Sequence, residues 1–346
     1  MDIAGLTTLR LGGPARSVVE VTTEADFLDA VRVADEAGDP VLIVGGGSNL
    51  VVSDAGFDGT VVLVRTSGVE VSDCADSGAA CGGVDVKVQA GENWDALVAR
   101  AVDDRWLGIE ALAGIPGLVG ATPIQNVGAY GQEVSGTIAS VRTFDRYEGK
   151  VRTFAVADCG FGYRTSVFKR LAPRYAVLSV QFQFTRGDLG LPIRYAQLAA
   201  ALDVDVGARV PAADVRAAVL ELRRSKGMVL DPDDHDTWSV GSFFTNPVLD
   251  GDAAASLPAE APRYPQPDGS IKTSAAWLLE QAGYRRGFPG AEGQVALSTK
   301  HALAVTNRGG ATTSELLDLA RELRDGVRAR FGITLEHEPT LIGCSL

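Results

Sequence analysis

The stretch GIPGLVGATPIQNVGAYG, residues 114–131, decides how the chain is read, because it suits neither helix nor strand. Its density of glycine and proline removes backbone rigidity and hydrogen-bond donors at short intervals, which works against both regular structures. Thr122, Gln125 and Asn126 are polar there without being charged. Two readings fit such a segment: main chain brought close to a flat aromatic ligand, or a structural omega-type loop. Spacing alone does not separate them.

Upstream, VGGGSNL at 44–50 sets three glycines and two small polar residues directly after an apolar run at 41–44. Backbone N–H groups in such a segment can converge on an anion such as a pyrophosphate. It matches neither GxGxxG nor a P-loop, and taken alone it reads better as an ordinary glycine-rich turn. Before it, residues 24–38 have the period of an amphipathic helix, with Phe27, Leu28, Val31 and Ala34 on one side; 61–64 reads as a strand. The spacing further predicts a strand at 86–89, a helix over 93–104 capped by Asn93, and an alternating strand at 177–184. Later come helices at about 212–225, 273–282 and 312–331, with strands near 293–297 and 302–306. The segment 73–83, DCADSGAACGG, reads as a polar loop without chemistry of its own.

At 346 residues the chain exceeds the size of one core. Breaks in the pattern predict segments 1–66, 67–187 and 188–339, the last boundary marked by the polar, proline-containing 187–192. With 46% hydrophobic and 22% charged residues the composition is that of a folded globular protein. A formal charge of −12 argues against nucleic acid or an anionic membrane as partner, so a phosphorylated ligand must meet a local basic or amide-lined pocket. No segment approaches the roughly 20 apolar residues of a membrane span and the first residues resemble no signal peptide, which predicts a cytoplasmic protein. Cysteines 74, 81, 159 and 344 form no CxxC pair and are expected as reduced thiols. Histidines occur only at 235, 301 and 337, too few for a histidine-rich metal site.

VGGGSNL, the run at 114–131, FGYRTS at 161–166, GSFFTNP at 241–247 and LEHEP at 335–339 occur in that order, and together the chain resembles the UDP-N-acetylenolpyruvoylglucosamine reductase (MurB) family. The resemblance implies an α+β fold: a two-part FAD-binding domain of the vanillyl-alcohol-oxidase (PCMH) type, then a C-terminal α+β substrate-binding domain, with 340–346 rejoining the first segment. It implies FAD contacts from Gly45, Gly46, Gly47, Ser48, Asn49 and Leu50, and from Gly117, Gly120, Ala121, Thr122, Pro123, Gln125, Asn126, Gly128, Ala129 and Gly131. Some proteins of this fold tether FAD through an N-terminal histidine. None stands before His235, so non-covalent FAD is expected.

The resemblance also assigns a catalytic set of Arg164, Ser242 and Glu338. An arginine fork pairs with a carboxylate and stays charged, which suits the enolpyruvyl group and the negative charge that builds on its reduction. A serine hydroxyl is a weak acid, yet beside a carbanion it can surrender its proton. Glu336 and Glu338, two residues apart, would face the same way on a strand, and the resemblance selects Glu338. Beside a substrate carboxylate, Glu338 is expected to have a raised pKa and to act as an acid. Without the resemblance, all three read as a surface arginine, a turn serine and a solvated charge.

Tyr163, Tyr195, Lys226 and Asn246 match substrate-contact positions, and the Tyr195 segment resembles the longer type of the family. Thr245, His301 and His337 depart from the lysine, glutamine and proline common there. The implied reaction uses NADPH and FAD to reduce UDP-N-acetylglucosamine enolpyruvate to UDP-N-acetylmuramate in peptidoglycan-precursor synthesis, by a monomer. A flavin oxidase of the same fold acting on an alcohol or sugar, and a flavin- or nucleotide-binding module without turnover, are the rival readings.

Overall fold

The structure, a computed structural model, describes residues 1–73 and 83–346; most of the 73–83 loop, with Cys74 and Cys81, lies outside the described residues. The chain forms two compact units, one of 16–46 and 58–225, the other of 1–15, 47–57 and 226–346.

In the first unit the twelve-residue strand Tyr175–Arg186 organises an antiparallel sheet. Ile138–Asp145 and then Lys150–Ala155 lie on one side of it, Gly83–Gln89 and then Val69–Asp73 on the other. Val84, Val86 and Val88 alternate with less buried residues and share a core with Trp94, Leu97, Phe182 and Phe184. The helix Trp94–Asp103 starts where expected, with the Asn93 side chain accepting from the Ala96 amide. Ala176, Leu178 and Phe144 instead join Phe27 and Val31 of the helix Glu24–Glu36. A register irregularity permits both: Arg142 faces Ser179 and Thr143 faces Val177, so Leu178 is bulged out of alternation. Val41–Val44 runs parallel to Phe57–Val64 in a separate three-stranded sheet.

The expected boundary at 187/188 does not coincide with a unit boundary. Residues 188–225 belong to the first unit because the helix Ala212–Ser225 buries Val215 and Val219 in the same core as Trp94 and Phe182. Residues 1–15 and 47–57 belong instead with the C-terminal unit. There Thr340–Ile342 pairs in parallel with Leu50–Val52, which is how the C-terminal end rejoins the early chain.

The second unit is built on the helix Thr313–Phe331. A Thr312–Glu315 capping box opens it, and Gly332, at φ 71°, closes it. Leu316, Leu319, Ala320, Leu323 and Val327 face a core shared with Leu278, Leu279, Val295, Val305, Phe243 and Phe244. Each large apolar side chain in that core contributes roughly 1.5–3 kcal/mol over exposure. The hairpin Val295–Leu297 with Val305–Asn307 and the helix Ala275–Gln281 complete this layer. Cys159 and Cys344 are free thiols. Burial, with Asp158 beside it, pushes the Cys159 thiol up to about 11, so it stays protonated and unreactive near neutrality. Among the described residues no helix is long and apolar enough to cross a membrane.

Candidate active site

The first unit brings Gly45 and Gly46 against the second glycine-rich segment. A Cβ placed on exposed Gly46 would lie 2.8 Å from the Cα of Gly117, and one on Gly45 would meet the Leu118 side chain. At Gly46 main chain therefore meets main chain, with no room for a side chain. A flat, phosphate-bearing cofactor such as FAD fits this arrangement, because ring and anion alike can approach bare backbone.

Within 114–131 the polar residues divide their work. Thr122 is buried and its hydroxyl donates to the Val119 carbonyl at 2.8 Å. Asn126, also buried, donates to Glu133 at 2.8 Å and to the Gly162 carbonyl at 3.2 Å, and accepts from the Ser135 amide. Asn126 thus holds the loop to the segment 161–166. Ala121, Pro123, Gln125, Gly120, Ala129 and Gly131 lie along the same run, with Ala121 and Gly131 exposed.

Arg164 sits on that joined segment. Its guanidinium donates to the Gly128 carbonyl at 2.7 Å, and its backbone is left-handed at φ 53°. Asn126 and Tyr130, at φ 48° and 49°, share this conformation, which costs a non-glycine residue roughly 1–2 kcal/mol. Such strain persists only where surroundings over-determine it, and it gathers at functional sites. Tyr163 neighbours the Arg164 guanidinium at 5.4 Å. Tyr195, half exposed, packs edge-on against Tyr130 at 5.7 Å between centroids. Burial raises the Tyr130 hydroxyl pKa, against the pull of Arg223, and burial lowers Arg223 itself to about 10.

The second unit holds Ser242, Asn246, Lys226 and Glu338, together with Gly47, Ser48, Asn49 and Leu50. Glu338 does not lie on a regular strand. It follows an isolated bridge, Phe244 to His337, flanked by bonds from the Thr245 amide to the Glu336 carbonyl and from the Glu338 amide to the Phe243 carbonyl at 2.8 Å. This pairing sets Glu338 opposite Phe243, one residue from Ser242. Glu336 is exposed and Glu338 partly buried. His337 turns back on itself, its Nδ1 donating to the Pro339 carbonyl at 2.8 Å. Asn246 accepts from the Ala275 amide at 3.0 Å, so it also fixes the start of the helix Ala275–Gln281.

One contact and one buried carboxylate lie outside the expected site residues. His301, which the sequence leaves open as a substrate contact or a neutral structural residue, has its Nε2 3.2 Å from Ser242 Oγ. Glu110 is fully buried, accepting from the amides of Gly108 and Leu191 and from Gln132; no periodic signal announces a buried carboxylate.

Residues 15–155 match the FAD binding domain family, and 231–342 match the family described as UDP-N-acetylenolpyruvoylglucosamine reductase, C-terminal domain. A protein of Cutibacterium acnes named UDP-N-acetylenolpyruvoylglucosamine reductase is 54% identical over 349 residues, covering 100% of this chain and 90% of its own. One of that name from Salinispora arenicola is 54% identical, covering 98% and 94%. The chain belongs to the UDP-N-acetylenolpyruvoylglucosamine reductase family. A solved reductase of this kind from Thermus caldophilus, 23% identical, superposes with a TM-score of 0.65 over 99% of this chain and 97% of that one, a likeness of fold. The fold is accordingly α+β, with an FAD-binding domain of the vanillyl-alcohol-oxidase type followed by the family's own C-terminal domain. The FAD-domain match opens at 15, beside the point where the first unit begins, and the C-terminal match falls wholly inside the second.

Proposed function

We propose that the protein is an NADPH-dependent, FAD-containing reductase that converts UDP-N-acetylglucosamine enolpyruvate to UDP-N-acetylmuramate, working as a cytoplasmic monomer in peptidoglycan-precursor synthesis. The identity of 54% over the whole chain to proteins of that name carries this reading. FAD, when bound, carries hydride from NADPH to the enolpyruvyl nucleotide. The segments 45–50 and 117–131 hold it without a covalent link, consistent with the absence of histidine before His235.

Arg164, anchored through Gly128, holds the substrate carboxylate and stabilises the negative charge that gathers there. Ser242 Oγ delivers its hydrogen to the substrate carbon next to the one reduced. Glu338, fixed through its amide to Phe243, hydrogen-bonds the carboxylate as the enediolate forms. Tyr163, Tyr195, Lys226 and Asn246 bind the remainder of the nucleotide.

Anaerobic stopped-flow absorbance tests the whole reading. NADPH should bleach the flavin, and the enolpyruvyl nucleotide should restore its colour with formation of the muramate product. Reoxidation by oxygen alone, without response to the nucleotide, would identify an oxidase. Colour that neither reagent changes would identify a binding module.

A further inference from the structure

The contact between Ser242 and His301, Oγ to Nε2 at 3.2 Å, has no role in the proposed reduction. A serine hydroxyl has one hydrogen and two lone pairs. Were Nε2 the acceptor, that hydrogen would be spent on the ring and would not reach a substrate carbon. Proton donation by Ser242 therefore requires that Nε2 carry a hydrogen and that Oγ accept it.

We propose that His301 is a positioning residue for this proton transfer: its Nε2–H donates to Ser242 Oγ, aims the single hydroxyl hydrogen away from the ring, and supports the charge left on Oγ as that hydrogen departs. The inference rests on the proposed reduction. In the step, the Ser242 O–H bond breaks, a C–H bond forms on the substrate, and Oγ regains a hydrogen from water before the next turnover.

The surroundings hold both partners in register. Ser298 Oγ accepts from the amides of Lys300 and His301 at 3.0 and 3.2 Å. Asp236 accepts from the Thr299 amide at 2.9 Å and from Arg308 at 2.8 Å, and Lys300 pairs with Asp234. Burial alone would push the Asp236 carboxyl up, but the hydrogen bonds from Thr299, Ser298 and Arg308 outweigh it and hold the pKa below the ordinary value. The loop that carries His301 is thus pinned at three consecutive residues. The Phe243 amide bonds the Leu303 carbonyl at 2.7 Å, which ties the residue after Ser242 to a residue two beyond His301. Neither backbone can slide without breaking these bonds, so the hydroxyl and the ring meet by construction.

The experiment uses the flavin-loaded full chain and two readouts. In ¹⁵N-histidine-labelled protein, three imidazoles give few enough signals to assign by single substitution. Nε2 of His301 should be protonated, and its resonance should move in Ser242→Ala. In single-turnover mixing, His301→Ala should slow reoxidation by the enolpyruvyl nucleotide roughly 10- to 100-fold, the range of a hydrogen bond to a charged group. His301→Gln, whose amide also donates, should recover most of that loss. An unprotonated Nε2, an alanine variant as fast as the parent, or a glutamine variant as slow as the alanine one would each overturn the proposal. If His301→Ala does not fold, the parent's Nε2 state and the glutamine rate still decide. A parent protein that the nucleotide fails to reoxidise would bring down the reaction itself, whereas variant rates equal to the parent's would bring down this role alone.

Discussion

The two glycine-rich loops and the serine site solve opposite problems. Around Gly46 and Gly117 the structure works by leaving atoms out, and a single added Cβ collides with backbone at 2.8 Å. Around Ser242, His301 and Glu338 it works by putting particular polar atoms in place, each on main chain tied to a neighbouring segment. The first kind of site should tolerate loss of side chains and fail on addition. The second should do the reverse.

The largest effect expected on that contrast is a deletion at the serine. Ser242→Ala removes the proposed proton donor and should slow flavin reoxidation by substrate roughly 10²- to 10⁴-fold, the usual weight of general acid catalysis. Flavin reduction by NADPH should keep its rate, as stopped-flow absorbance would register. An equal loss in both half-reactions contradicts the assignment.

A deletion in the first unit matters where a side chain, not backbone, carries load. The Asp145 side chain is fully buried and accepts from Arg174 at 2.6 Å and from the Tyr147 amide. Asp145→Ala leaves Arg174 without this carboxylate and should cost about 3 kcal/mol in urea denaturation, with little change in how residual folded protein turns over. The hydrogen bond from Arg174 leads the causes that hold the Asp145 carboxyl below its ordinary pKa. Its contribution is therefore present above the unfolded value of roughly 3.9 and is lost as pH falls through the lower folded value. The parent should lose stability on acidification through that window faster than Asp145→Ala; parallel curves would show that the pair is not the cause.

Legibility in the sequence followed the same divide. Glycine and proline density marks 44–50 and 114–131 as irregular chain without saying what they do, and helical period marks 24–36, 212–225 and 313–331 to within a few residues. Serine after glycine, or glutamate beside histidine, carries no such mark, so Ser242 and Glu338 emerge only through family resemblance. The unit boundaries were hidden for another reason. Val215 and Val219 announce an amphipathic helix but not the core that receives it, and nothing in Leu50–Val52 tells that its partner arrives at Thr340–Ile342. Pairing across nearly the whole chain is fixed by tertiary packing, to which local period is blind.

Two glycine substitutions sharpen the contrast at its finest. Gly46→Ala should weaken FAD binding roughly 5- to 100-fold, because relieving an overpacked contact of about 1–3 kcal/mol means parting the loops proposed to receive the cofactor. Gly241→Ala, beside Ser242, meets no atom within 4 Å, and its difficulty is only the φ of 78°. The cost there should be about 1 kcal/mol of unfolding free energy, with FAD affinity unchanged, since the left-handed strain falls on a residue outside the glycine-rich loops. Titrating apo protein with FAD and melting each variant separates the two. If Gly241→Ala instead lost flavin as severely as Gly46→Ala, close approach of backbone would not be what distinguishes the loops, and glycine at 46 would have to be explained by conformation alone.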